Sequence, residues 1–222
     1  MSQMPEINPI PSIQHNLVDY VREHGSFSVA YVRTMTDDFG SLSGADIADL
    51  AHYLCILHGR HPGVVDHAAT KTADVSARKW LVHAMEAFSA ERAFLTKLTV
   101  AAGPISGVGG SDQSNATVLA QRKALEMLSQ SDRDGCALGA SFALVLDWYA
   151  VRPLLENAAI KFGIEPRDQN MPTVDSTLQL STALNENLGI ERAVNFGADQ
   201  ILAQHRGLWQ LLEARRRSRQ AS

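Results

Sequence analysis

The segment HGRHPGVVDH, residues 58–67, is the part of the sequence richest in groups that exchange protons or bind metals. It holds three of the chain's eight histidines, His58, His61 and His67, together with an aspartate. Imidazole and carboxylate groups serve as general acids and bases and as ligands of transition metals. The segment also suits a corner between two helices, because Pro62 fits the first turn of a helix. The sequence leaves both interpretations open.

Three further ionisable residues lie on the apolar faces of predicted helices when the chain is projected at about 100° per residue. Glu91 shares an apolar seam with His67, Asp147 lies in the most apolar helix, and His205 faces inward from the last helix. Burying an unpartnered charge costs several kcal/mol, roughly. If these side chains converge, they therefore need hydrogen bonds, a shared proton or a metal.

Two classes of function fit such an interior polar cluster. The first is a small-ligand-binding or interaction protein, with no preferred cofactor and with the ionisable residues in a hydrogen-bonded network. The alternative is a non-haem oxidoreductase that holds iron or manganese, since helical bundles bind these metals through inward carboxylates and imidazoles. The predicted polar cluster is His58, His61, His67, Glu91, Asp147 and His205, and the alternative metal ligands are His67, Glu91, Asp147 and His205.

The iron or manganese alternative is not supported by a recognised metal-binding motif in the sequence. The Glu-x-x-His pairs of dinuclear bundle sites are missing, and so is H-E-x-x-H. A histidine on an apolar seam can instead bond to a backbone carbonyl, and Glu91 can pair with an arginine or an inward-reaching lysine. Whether the protein is an enzyme stays open at this stage.

Hydrophobic periodicity predicts a single all-α domain, a multi-helix bundle over residues 13–217. An extended arm, 1–12, precedes it, and a flexible basic tail, 218–222, follows it. Residues 26–42 fit a strand, an irregular segment or a helix. The predicted helices are IQHNLVDYVREH closed by Gly25, Ser43 to Gly59, a long helix from Pro62 to about Ala102, 114–130, a central apolar helix at 136–162, 175–188, and 190 to about 217 with Gly189 before it.

Composition excludes some classes of protein. A net charge of −4 and a pI near 6.0 argue against a nucleic-acid-binding protein with a broad basic surface. The two cysteines form no CxxC motif, and the longest apolar run, residues 136–146, is short for a membrane span. We expect a cytoplasmic protein without a nucleic-acid or membrane partner, with a small molecule as ligand and the apolar helices available for homo-oligomerisation.

The chain resembles an uncharacterised family of bacterial all-helical proteins, known only as a domain of unknown function. Four segments carry the resemblance: HYLCILHGRHPGVVDHAA, AERAFLTKLTVAAGP, GCALGASFALVLDWYAVRPLLE and ILAQHRGLWQLLEAR. It covers most of the chain beyond about residue 40 and implies an all-helical fold, without an activity, a cofactor or a catalytic residue. The architecture is also similar to haem-oxygenase-like and ferritin-like bundles, which is an analogy of fold alone.

Overall fold

The protein is described by a computed structural model over residues 17–105, 111–184 and 188–221, so the predicted arm at 1–12 lies outside the described residues. All regular structure in these ranges is helical, which confirms the all-α prediction. The helices are α1 Leu17–His24, α2 Ala30–Asp37, α3 Gly44–His58, α4 Val64–Lys71, α5 Val75–Ala102, α6 Ser111–Ser129, α7 Cys136–Lys161, α8 Val174–Leu184 and α9 Leu188–Gln220.

The undecided segment 26–42 is helical. It consists of α2 between two single 3-10 turns, Ser26–Ser28 and Phe39–Ser41. The predicted start of α3 is confirmed: the Ser43 hydroxyl accepts the amide of Asp46, and the Asp46 carboxylate accepts the amide of Ser43 at 2.9 Å. This reciprocal cap satisfies two amides that the first turn leaves without partners.

The long helix predicted from Pro62 to about Ala102 is wrong as a single element, because it is divided into α4 and α5. Thr72 and Asp74 have extended backbone angles, and the Asp74 carboxylate caps α5 by accepting the amide of Ala77 at 2.7 Å. Pro62 precedes α4 and lies in the corner. The apolar spacing continues across the break, so periodicity alone does not show it.

Helices α7 and α9 form the tightest pair in the bundle. A Cβ atom added to Gly139 would lie 2.0 Å from the carbonyl oxygen of Val194, and one added to Gly197 would lie 2.0 Å from that of Cys136. The two backbones therefore touch, which only glycine permits. About two turns further along each helix, the close approach brings Asp147 on α7 beside His205 on α9.

Helix α7 is the buried centre of the fold. By length and composition it could cross a membrane. However, 83% of its most apolar 18-residue stretch is buried inside the structure, as in the core helix of a globular domain. Helix α9 begins at Leu188, so Gly189 lies in its first turn, and it continues through Gln220 into the segment predicted as a tail. Arg219 in that segment binds Asp46 and Asp49.

Candidate functional site: a histidine chain at a cavity

A chain of hydrogen bonds joins three helices in the interior. The Asp147 Oδ2 atom lies 2.5 Å from Nδ1 of His205, and Nε2 of His205 lies 2.8 Å from Nε2 of His58 at the end of α3. Asp147, His205 and His58 have 2%, 1% and 8% of their surfaces exposed. We call these three residues the histidine chain; the sequence predicted each of them to face inward or to border the site.

The carboxylate end of the histidine chain is held by the 3-10 turn after α1. Ser26 donates its amide to Asp147 Oδ1 at 2.7 Å and its hydroxyl to Oδ2 at 2.5 Å. The indole of Trp209 donates to the same hydroxyl at 2.7 Å, which leaves the serine proton for the carboxylate. A Cβ atom on Gly25 would lie 2.3 Å from Asp147 Oδ1, so the turn can approach only with glycine there.

These donors assign the protons of the two imidazoles. The Asp147 carboxylate accepts a hydrogen bond from Nδ1–H of His205, whose Nε2 is then an acceptor and accepts a hydrogen bond from Nε2–H of His58. The remaining nitrogen, Nδ1 of His58, is then an acceptor without a hydrogen-bond partner among the described residues. Burial lowers the pKa of His58 well below its ordinary 6.5, and His205 and Arg92 lower it further.

His58 lines a cavity of about 130 Å³ that is bordered by residues of α3, α4, α5, α6 and α7 and of the corner between α3 and α4. Space of this order accommodates a few waters or one molecule of roughly benzene's size. Both apolar and charged side chains border it. The lining includes Arg60, Val64, Val65, His67, Phe88, Arg92, Arg122, Leu125, Glu126 and Gln130.

Asp66 fixes the corner between α3 and α4, which borders the cavity. Its carboxylate accepts the amide of Gly63 at 2.7 Å and both terminal nitrogens of Arg92, at 2.9 and 3.2 Å. The side chain of His61 is 68% exposed, with Nδ1 3.5 Å from Asp66. The segment 58–67 is therefore both a capped corner and one wall of the cavity, while His61 lies on its outer side.

Glu91 belongs to a second buried group beside the cavity. Its carboxylate accepts the indole N–H of Trp148 at 3.0 Å and an N–H of Arg152. Burial raises the pKa of Glu91, although Trp148 and Arg152 both favour its charged form. The Trp148 ring meets the His58 ring edge-on, with centroids 5.5 Å apart, so the two groups share one aromatic wall.

Sequence reasoning missed some of the residues that hold these groups. Arg152 lies four residues before Glu156 and pairs with it at 3.3 Å, a spacing typical of an exposed helix face, but Arg152 is buried and also binds Glu91. Ser26 lay in the undecided segment, so nothing in the sequence pointed to it. Trp209 has the spacing of a core residue, which does not reveal that its indole donates a hydrogen bond.

The four residues predicted as alternative metal ligands do not form one ligand set. Asp147 and His205 bind each other, Glu91 binds Arg152, and His67 lines the cavity from α4. Within residues 17–105, 111–184 and 188–221, no three His, Cys, Asp or Glu side chains are grouped so that they could hold a metal ion.

Comparison with known proteins identifies a family. No curated protein and no solved structure matches the chain. A family model described as a family of unknown function, DUF6975, matches residues 21–220. This match covers every helix from α2 to α9 and confirms the resemblance to an uncharacterised family. The chain belongs to DUF6975.

Proposed function

We propose that the protein binds a small polar molecule in the cavity beside His58. The observation that carries this proposal is the position of the histidine chain: its buried end is fully hydrogen-bonded, whereas its other end, His58 Nδ1, has no partner and belongs to a cavity-lining residue. A polar side chain that lines a cavity and keeps one atom without a protein partner can form a hydrogen bond to a ligand there. Asp147 and His205 fix the ring that the ligand meets.

The surroundings of His58 support a binding site of defined shape. Phe88 and Leu125 give the cavity apolar walls, and Arg92 is held in place by its ion pair with Asp66. Preformed cavities with a few convergent polar groups are the usual form of small-molecule sites. A cavity of about 130 Å³ has room for a group of about six non-hydrogen atoms, near the size of benzene.

The test is an NMR titration of the imidazole signals of His58 with a panel of neutral, cationic and anionic molecules of about this size. We expect at least one of them to shift the His58 signals at a saturable site. Leu125→Trp, which fills the cavity, and Gln130→Trp at an exposed part of its lining should each weaken binding. Leu119→Trp is the matched control, because Leu119 lies on the exposed face of the same helix.

Two results contradict the proposal: no panel member shifts the His58 signals, or binding is equal in all three tryptophan variants. The latter result would place the ligand elsewhere on the molecule.

A second candidate, an acid–base enzyme, is favoured by the order of the histidine chain. An imidazole oriented by a second group, which is oriented by a carboxylate, is the arrangement of a general base. The same NMR samples separate the two candidates, since a bound molecule that is chemically unchanged after prolonged incubation indicates binding, and a new product signal that depends on His58 indicates catalysis. The iron or manganese oxidoreductase draws no support from the described residues, whose acidic and histidine side chains are not grouped for a metal.

A further inference from the structure

The cavity lining carries an excess of positive charge. Arg60, Arg92 and Arg122 border it, against one carboxylate, Glu126, which lies 3.4 Å from the ammonium group of Lys123. Arg92 is already ion-paired. The guanidinium groups of Arg60 and Arg122 form no hydrogen bond or ion pair with the part of the chain that the structure describes. They are free to bind an anion.

The first turn of α4 adds backbone donors to the same wall. Val64 and Val65 line the cavity, and their amides belong to a helical first turn, which has no intrahelical acceptors for them. Asp66 satisfies only the preceding amide, that of Gly63. The amino end of a helix carries partial positive charge and favours anions. Together with the arginines, this end of α4 gives the cavity lining groups that favour an anion.

A proton added to the histidine chain reverses the polarity of His58 Nδ1. Without an added proton, this nitrogen is an acceptor, which disfavours an anion. If His205 gains a proton, both of its nitrogens donate, one to Asp147 and the other to Nε2 of His58. His58 then carries its own proton on Nδ1, which becomes a donor. One proton bound anywhere in the chain therefore converts the cavity-lining nitrogen into an anion-binding group.

We propose that the cavity binds a small oxyanion together with one proton, which the His58–His205 pair takes up. The shared chemistry of the ligand is a carboxylate, sulfate or phosphate group of the size the cavity admits. This inference rests on the proposed function, since it names the ligand class and the proton coupling of the same site. Burial lowers the pKa of His58, which disfavours an added proton in the empty cavity, and an anion beside the imidazole would favour that proton.

The groups that act on His58 come from every helix around the cavity. The charged and titratable side chains that face it are His205 with Asp147, Arg92, Arg60, Arg122, His67 and Glu126. The arginines stay charged at all relevant pH values, and they oppose a proton on His58 until an anion offsets their charge. The coupling between anion and proton follows from this balance.

The experiment compares acetate with acetamide, which has the same shape and no charge, and adds sulfate as an anion that does not titrate. Dissociation constants are measured by NMR between about pH 6.5 and 8.5, above the acetic acid pKa of roughly 4. We expect acetate and sulfate to bind more tightly as the pH falls, by up to about tenfold per pH unit for one proton. Calorimetry in two buffers of different ionisation enthalpy should show about one proton taken up per anion.

Variants locate the effect. Arg122→Gln should weaken acetate binding roughly tenfold, since it removes a charged donor. Lys97→Gln, the same change at an exposed position outside the cavity, should leave binding unchanged. His58→Gln keeps a polar group, but a proton on His205 can then no longer be relayed through an imidazole to the cavity, so the pH dependence of acetate binding should weaken. The pH series itself needs only the wild-type chain.

Three outcomes overturn the inference. If acetamide binds as well as acetate, the site does not select anions; the proposed small-molecule function would then stand and this inference would fail. Acetate binding without proton uptake would show that the histidine chain gains no proton when the anion binds. No binding of acetate or sulfate would exclude an oxyanion site, while neutral members of the panel still test the proposed function separately.

Discussion

Helix α9 carries two buried polar groups that differ in how their charges are balanced. The histidine chain meets α9 at His205. About 15 Å further along the helix lies an arginine cluster of Asp46, Asp49, Arg215 and Arg219. In the cluster both carboxylates are paired with guanidinium groups, and a further arginine, Arg216, lies 3.9 Å from Asp46, so each carboxylate has partners of fixed charge. In the histidine chain one carboxylate faces neutral donors, and the remaining proton positions can change.

The difference separates a structural group from a candidate site. Arg215 donates to both oxygens of Asp49, at 2.7 and 3.1 Å, and to Ser114 at 3.2 Å. Such bidentate contacts fix α9 against α3, and arginine does not release its proton in the working pH range. The histidine chain instead ends at a cavity with an unpaired nitrogen. Burial of charge alone therefore does not mark a functional site; a titratable group beside open space does.

The largest expected loss of stability follows when the arginine cluster is broken. Arg215→Ala should lower the free energy of unfolding by about 3 kcal/mol, because it leaves Asp49 buried with only Arg219 as its partner. The matched control is Arg217→Ala on the same helix, whose exposed pair with Glu213 should contribute no more than about 0.5 kcal/mol. Urea unfolding measures both values. Similar losses in the two variants would mean that the cluster does not fix the helices.

A smaller loss is expected when the histidine chain keeps its shape but loses its charge. Asp147→Asn should cost about 1 to 3 kcal/mol, because Ser26 loses the acceptor of its hydroxyl while His205 can exchange its proton between its nitrogens. The ¹⁵N shifts of His205 should then show the proton on Nε2 instead of Nδ1. A proton still on Nδ1 would contradict the assigned order of donors.

The smallest and most diagnostic effect is the pH dependence of stability. Since the folded pKa of His58 lies below 6.5, the unfolded chain binds more protons in the acidic range. The free energy of unfolding should therefore fall as the pH drops below 6.5, by at most about 1.4 kcal/mol per pH unit for this group. His58→Gln should lose this slope, whereas His24→Gln, at an exposed position, should keep it.

The stability contributed by the arginine cluster should change in a different pH range from the stability that depends on His58. Burial alone would raise the pKa of Asp46, but hydrogen bonds from Arg219 and Ser43 outweigh it and lower the pKa below its ordinary 3.8. The stability from Asp46 is thus complete above 3.8 and is lost only as the pH falls through its lower folded pKa. If the arginine cluster and the histidine chain lost their stability in one and the same pH transition, the proposed difference between them would be wrong.

The sequence by itself determined the class of fold and most of the helices. Apolar residues at helical spacing, the Ser43 cap and Gly59 located α3, and the all-apolar segment at 136–162 located the core helix. The same periodicity gave the inward directions of Asp147, Glu91 and His205, because the direction of a side chain on a helix follows from its position in the turn. Local rules were sufficient for these features.

Only the tertiary structure decided which inward residues meet. The pairing of Asp147 with His205 depends on the glycine contact between α7 and α9, and that of Glu91 with Arg152 depends on the packing of α5 against α7. The break at Asp74 and the role of Ser26 were hidden, since a cap and a turn can sit inside an uninterrupted apolar spacing. Periodicity fixes the face of each helix, whereas the contacts between faces arise from the fit of whole surfaces, which no single segment encodes.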